Sequence, residues 1–116
     1  MASVLVTGAA GFVGAHCCGA LSALGHKVTG VDNFNAYYAP ELKRARIAAI
    51  AGDADILDID ITNHDRLMAL VDQVKPTAIV HLAAQAGVRY SFKEPFAYAN
   101  SNLLGHVSVL EAARKC

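Results

Sequence analysis

The stretch Val6-Thr7-Gly8-Ala9-Ala10-Gly11-Phe12-Val13-Gly14 limits what this chain can fold into more than any other part of it. Its glycines, spaced G-x-x-G-x-x-G, follow a short apolar run from Ser3 to Val6 and precede residues with helical spacing. A strand that turns sharply into a helix needs a residue free to adopt unusual backbone angles, and Gly8 stands where that turn begins. Gly11 leaves the backbone bare where a pyrophosphate would approach, and Gly14 lets the helix lie close to the strand. Amides at a helix N-terminus, together with its dipole, suit phosphate charge. Small residues are also common at strand-to-helix junctions, so the run alone reads either as a nucleotide-binding turn or as a tight corner.

The residues beyond the turn favour the first reading. From Gly11 the residues Val13, Cys17, Leu21 and Leu24 fall on one helical face, and Gly25 supplies the stop. Lys27 to Asp32 is expected to be a second strand, and Asp32 ends it where a ribose-binding carboxylate belongs. The bland alternative for Asp32 is a solvated residue at the start of a loop. A carboxylate accepts hydrogen bonds from two ribose hydroxyls but repels a 2′-phosphate, and Asn33 follows it instead of an arginine, so NAD is expected over NADP. Lys43, Arg44 and Arg46 would bear on that choice only if their helix folded back; a solvated face is the simpler reading.

The rest of the chain continues the alternation. Residues 33–39 read as a loop, and Pro40 opens a helix at its first position. Asp55 to Ile61 fits a third strand, with Ile59 and Ile61 alternating with acidic neighbours. Thr62 or Asn63 caps the next helix, and Pro76 stands beyond its end. Thr77 to Ala83 is the fourth strand, a long loop crosses Gln85 to Pro95, and a final helix runs from about Ala97 to Lys115. Strands alternating with helices imply an α/β fold with a parallel sheet covered on both faces. Right-handed crossovers favour the order 3-2-1-4, a partial Rossmann arrangement.

Composition narrows the partners. At 116 residues, 54% hydrophobic and 17% charged, the chain is expected to be one ordered domain with a real core. Ten basic residues balance ten acidic ones, which leaves no basic stripe for nucleic acid. There is no unbroken apolar span of ~18 residues, so no membrane partner is expected and a cytoplasmic protein is the default. Cys17, Cys18 and Cys116 form an odd set without a C-x-x-C, read as free thiols in a reducing compartment. His16, His81 and His106 lie in apolar-patterned segments without metal-ligand spacing, and are expected to be packing residues, with no metal site.

Together, T-G-x-x-G-x-x-G after strand one, D-N after strand two, D-I-T-N after strand three and H-L-A-A after strand four resemble the extended short-chain dehydrogenase/reductase family. The stretches "DNFNAYYAPELKRAR" and "HLAAQAGVRYS" resemble its nucleotide-sugar epimerase branch, and within it the UDP-glucuronate 4-epimerases. The resemblance implies NAD as cofactor and, in the full-length enzyme, a nucleotide sugar as substrate. It implies that Gly8, Gly11, Phe12, Val13 and Gly14 line the pyrophosphate, and that Asp32 and Asn33 hold the adenosine ribose. Asp60 and Ile61 match the pair that flanks the adenine. Leu82, Ala83, Ala84 and Gln85 match the strand end that passes the nicotinamide-side ribose, and Asn102 matches the asparagine that supports the active site. Asp60 as a strand terminator and Asn102 as a helix cap or bend are the plain alternatives. Arg89, at the mouth of the crevice, is a candidate for a phosphate or uronate carboxylate; an ordinary surface arginine is the competing reading.

Epimerases of this branch oxidise carbon 4 by hydride transfer to NAD and return the hydride to the other face. The resemblance implies a Y-x-x-x-K pair, in which lysine and cofactor lower the tyrosine pKa so that it takes the hydroxyl proton. In this chain Tyr37 is followed four residues on by Glu41, Tyr38 by Leu42, Tyr90 by Glu94 and Tyr98 by Asn102, so no tyrosine has its lysine. The chain is therefore expected to be the cofactor-binding part of a longer enzyme, inactive alone, with the catalytic and substrate-binding part absent. A related sugar epimerase or dehydratase, and a non-catalytic NAD-binding module, are the alternatives. An exposed parallel edge on strand four, and a last helix with Leu103, Val107 and Leu110 on one face, lead to an expectation of self-association, as a homodimer or otherwise.

Overall fold

The structure, a computed structural model, describes residues 2–33, 40–83, 95–96 and 100–114. The elements run β1 (Ser3–Thr7), α1 (Phe12–Ala23), β2 (Lys27–Asp32), α2 (Pro40–Ile50), β3 (Asp55–Asp58), α3 (His64–Val74) and β4 (Ala78–His81). A π-helical turn, Asn100–Leu104, then leads into α4 (Gly105–Arg114). All strand pairs are parallel, in the order β3-β2-β1-β4. The expected partial Rossmann sheet is present. Thr7 lies opposite Val31 on one side and His81 on the other, so the carboxyl ends of the central strands finish level.

Helices cover both faces, with cores of different character. On one face, Leu5 and Val31 meet Ile59, Ile61, Leu67, Leu70, Val71, Val109 and Ala112, drawn largely from α3 and α4. On the other, Val4, Val6 and Val28 meet Ala9, Cys18 and Ala51 beneath α1 and α2. The second core is made of small side chains because helix and sheet approach closely. A Cβ on Gly30 of β2 would stand 2.5 Å from the Ala9 Cβ, and one on Gly19 of α1 would stand 2.2 Å from the Ile50 carbonyl oxygen.

This close approach corrects the expected inner face of α1. Gly14, Ala15 and Cys18 are buried, while Val13 and Leu24 are 62% and 74% exposed. The smallest residues, not the most apolar, face the sheet, and Leu21 is the only member of the expected stripe packed on that core. Gly25, at φ +88°, ends the helix as expected.

Two strands are shorter than the sequence pattern suggests. β3 stops at Asp58, after which the chain leaves the ladder; Ile59 and Ile61 are still buried, and the Ile59 amide donates to the Asp32 carbonyl. β4 spans Ala78–His81 only. Asn63 is the residue that caps α3, its side chain accepting from the Arg66 amide, and Lys75 closes that helix in the left-handed region ahead of Pro76. The described part of the final helix, expected as one regular helix, carries a π turn over Asn100–Leu104 ahead of Gly105–Arg114. Among the described residues, no helix is long and apolar enough to cross a membrane.

Candidate functional site

The candidate site lies at the carboxyl edge of the sheet, where β1 separates β2 from β4 and the chain order reverses. In open α/β sheets this switch point is where ligands bind. Gly8 leaves β1 at φ +68°, and a Cβ there would lie 2.7 Å from the Leu82 carbonyl carbon. The turn closes with the Gly11 amide donating to the Gly8 carbonyl at 3.0 Å and the Ala9 amide donating to the Val31 carbonyl at 3.2 Å. A Cβ on Gly14 would lie 1.9 Å from the Gly8 carbonyl oxygen, so this glycine serves close packing of α1 on the turn. Gly11 differs: among the described residues, the sole neighbour a Cβ would meet within 4 Å is that same oxygen, at 3.2 Å.

Gly11 is also the N-cap of α1 and brings no side chain to the first-turn amides, and that turn holds no acidic residue. Phe12 and Val13 point outward, 68% and 62% exposed. The N-terminus of α1 thus turns its dipole, with no acidic residue in its first turn, towards the carboxyl edge of the sheet, an orientation that favours an anion.

Asp32 ends β2 at this edge. It is 6% exposed, and its Oδ2 accepts the Ala10 amide at 3.1 Å, so the carboxylate is fastened to the glycine turn. The bland reading of a solvated loop residue is overturned: register puts Asp32 inside the turn, not beyond it. Asn33 follows it, exposed.

The other sequence candidates spread around this centre. Asp60 is exposed, its Oδ1 accepting from the Thr62 amide at 2.9 Å and the Thr62 hydroxyl at 2.7 Å. The Ile61 side chain is buried in the core. Leu82, 38% exposed, and Ala83 continue β4 beside the glycine turn. Asn102 is half-buried in the π turn, one turn ahead of His106, whose ring stacks on His81 with centroids 5.0 Å apart. Ala84, Gln85 and Arg89 lie outside the described residues.

Sequence reasoning missed the polar junction beneath the turn. Thr7 is fully buried, and its Oγ1 accepts from the Leu82 and Ala83 amides, both at 3.0 Å. The same oxygen stands 2.6 Å from the His81 Nδ1. Burial, and next to it the neighbouring His106, hold the His81 pKa below the ordinary imidazole value. The signal was present in the Thr-Gly and His-Leu-Ala-Ala strings, but only the fold brings them together. The expectation that all three histidines are packing residues is corrected for His16 and His106, which are exposed. His16 lies on the outer face of α1, its Nδ1 donating to the Phe12 carbonyl at 2.9 Å.

A family profile described as GDP-mannose 4,6 dehydratase matches residues 5–116. The chain belongs to that family. Among its relatives, UDP-glucuronate 4-epimerase 6 of Arabidopsis thaliana is 52% identical over 113 residues, which is 97% of this chain and 25% of the relative. A crystal structure of Bacillus cereus UDP-glucuronic acid 4-epimerase, in complex with UDP-glucuronic acid and NAD, superimposes with a TM-score of 0.85 at 34% identity. That match covers 98% of this chain and 37% of the other. Thermus thermophilus UDP-glucose 4-epimerase in complex with NAD gives 0.83 at 33% identity, over 97% of this chain and 34% of the other. The resemblance to nucleotide-sugar epimerases is borne out, over a chain that spans a quarter to about a third of the length of these relatives.

Proposed function

We propose that this chain binds NAD and forms the cofactor-binding part of a nucleotide-sugar 4-epimerase that converts UDP-glucuronate to UDP-galacturonate. The observation that carries the NAD reading is the joined pair at the sheet edge: a glycine turn whose backbone is bare at Gly11, and a buried carboxylate, Asp32, bonded to that turn. The residues fit the cofactor. Gly8, Gly11 and the start of α1 would seat the pyrophosphate, and Asp32 with Asn33 the adenosine ribose. Asp60 and the Ile61 backbone would border the adenine, and Leu82 and Ala83 the second ribose. When bound, NAD supplies a hydride acceptor; the residues of this chain bind and orient it.

The choice of sugar rests on the curated relatives, of which UDP-glucuronate 4-epimerase 6 of Arabidopsis thaliana is 52% identical. Self-association belongs to the same proposal. Leu103, Leu104, Val107 and Leu110 of the last helix are all about half exposed or more, an apolar face suited to a second copy. A cytoplasmic site of action goes with this reading.

Isothermal titration tests the cofactor. NAD should bind the parent protein, Asp32→Ala should weaken binding about tenfold or more, and Gly11→Val should abolish it. Parent-like binding by both variants overturns the assignment. Sedimentation tests the assembly: a dimer or larger species at tens of micromolar is expected, and a stable monomer counts against it.

A further inference from the structure

A threonine hydroxyl has two lone pairs and one hydrogen. At Thr7 the amides of Leu82 and Ala83 occupy both lone pairs, so the hydrogen is directed at the His81 Nδ1. His81 is therefore neutral, with its proton on Nε2 and Nδ1 bare. We infer that His81 is a positioning residue: by holding the Thr7 hydroxyl in one orientation, it fixes the Leu82–Ala83 peptide against Gly8 beneath the glycine turn. The peptide has no slack there, because a Cβ on Gly8 would stand 2.8 Å from the Ala83 nitrogen. Only the last link, from that peptide to a bound nucleotide, rests on the NAD reading.

Charge at His81 breaks this arrangement. A proton on Nδ1 would leave one oxygen facing three N–H donors with two lone pairs. The Leu82 amide has a second acceptor in the Thr7 carbonyl, 3.2 Å away, so the Ala83 amide is the one released. Among the described residues, the groups around the ring do not favour its charged form. β1 presents the uncharged Thr7 hydroxyl, β4 flanks it with Val80 and Leu82, and α4 stacks a second imidazole, His106, upon it. Burial and the His106 ring act in the same direction on its pKa, which is lowered.

Two variants separate this role from mere packing. His81→Asn sets a carbonyl oxygen near the Nδ1 position, an acceptor that does not titrate; His81→Leu offers none. The measurement is hydrogen exchange at the Ala83 amide by NMR without ligand, from about pH 8 to about pH 5 across the imidazole range, corrected for the intrinsic rate. In the parent, protection should fall about fivefold or more with acid, the loss of one hydrogen bond. The asparagine variant should stay protected throughout, and the leucine variant should be weakly protected at every pH. NAD affinity of the parent should fall over the same range, while that of the asparagine variant stays level. A pH-independent Ala83 amide in the parent, or an asparagine variant that loses protection with acid as the parent does, overturns the inference. That contrast decides the matter even if the leucine variant fails to fold. If the Ala83 pattern holds while NAD binds no form of the protein, His81 keeps its role and the nucleotide reading fails.

Discussion

A methyl group added to each glycine of the turn meets different surroundings, and this separates folding from binding at single residues. At Gly14 it would lie 1.9 Å from a backbone oxygen that cannot withdraw without unmaking the turn. Gly14→Ala should therefore cost about 2 kcal/mol or more in urea unfolding, at the upper end of ordinary overpacking. At Gly11 the approach is 3.2 Å and φ is an ordinary −74°. Gly11→Ala should fold with a loss of under about 1 kcal/mol, yet weaken NAD binding severalfold by calorimetry, because the methyl stands where a phosphate would approach. Equal loss of stability in both variants would show that the spacing serves packing alone. Asp32 belongs to this scale too: its bond to the Ala10 amide makes the carboxylate proposed to hold the ribose a part of the glycine turn.

At the scale of elements, His81 joins the end of β4 to β1 through Thr7 and to α4 through His106. Its lowered pKa means that the unfolded chain takes up a proton more readily than the folded one. The stability this group contributes is present above the unfolded value of about 6.5 and is lost as pH falls towards the folded value. Urea midpoints should accordingly fall between about pH 7 and pH 5.5 in the parent, and less steeply in His81→Asn. The order of the strands, the opening of α2 at Pro40 and the Gly25 stop were legible because local chemistry decides them. The inner face of α1 was not, because hydropathy points to Val13 and Leu24 while close approach demands Gly14, Ala15 and Cys18. Ile59 and Ile61 alternate like strand residues yet lie past the ladder, since burial and pairing part company where β3 ends. At the candidate site, the sharp turn at Gly8 and the place of Asp32 at the end of β2 could be read from spacing. The Thr7–His81 contact could not, because its partners are 74 residues apart in sequence.

Across the whole molecule, the parallel sheet carries helices on both faces, β4 is an edge strand among the described residues, and the last helix gives the surface through which self-association is proposed. The two cores resist change in opposite directions. On the α3 and α4 side, Leu67 is fully buried among large neighbours, and Leu67→Ala should cost about 2–5 kcal/mol by leaving a hole. On the α1 and α2 side the buried side chains are smaller, and harm comes also from addition: Gly30→Ala would drive its methyl to 2.6 Å from the Ile56 Cδ1 as well as onto Ala9. Thermal melts of the two variants check the contrast, which fails if Gly30→Ala melts with the parent. A mutational survey of this chain should consequently divide along the plane of the sheet, with truncations purged from one side and enlargements from the other. The glycine turn sits on the side that resists growth, so drift in its supporting residues is confined to glycine, alanine and their nearest equals in size.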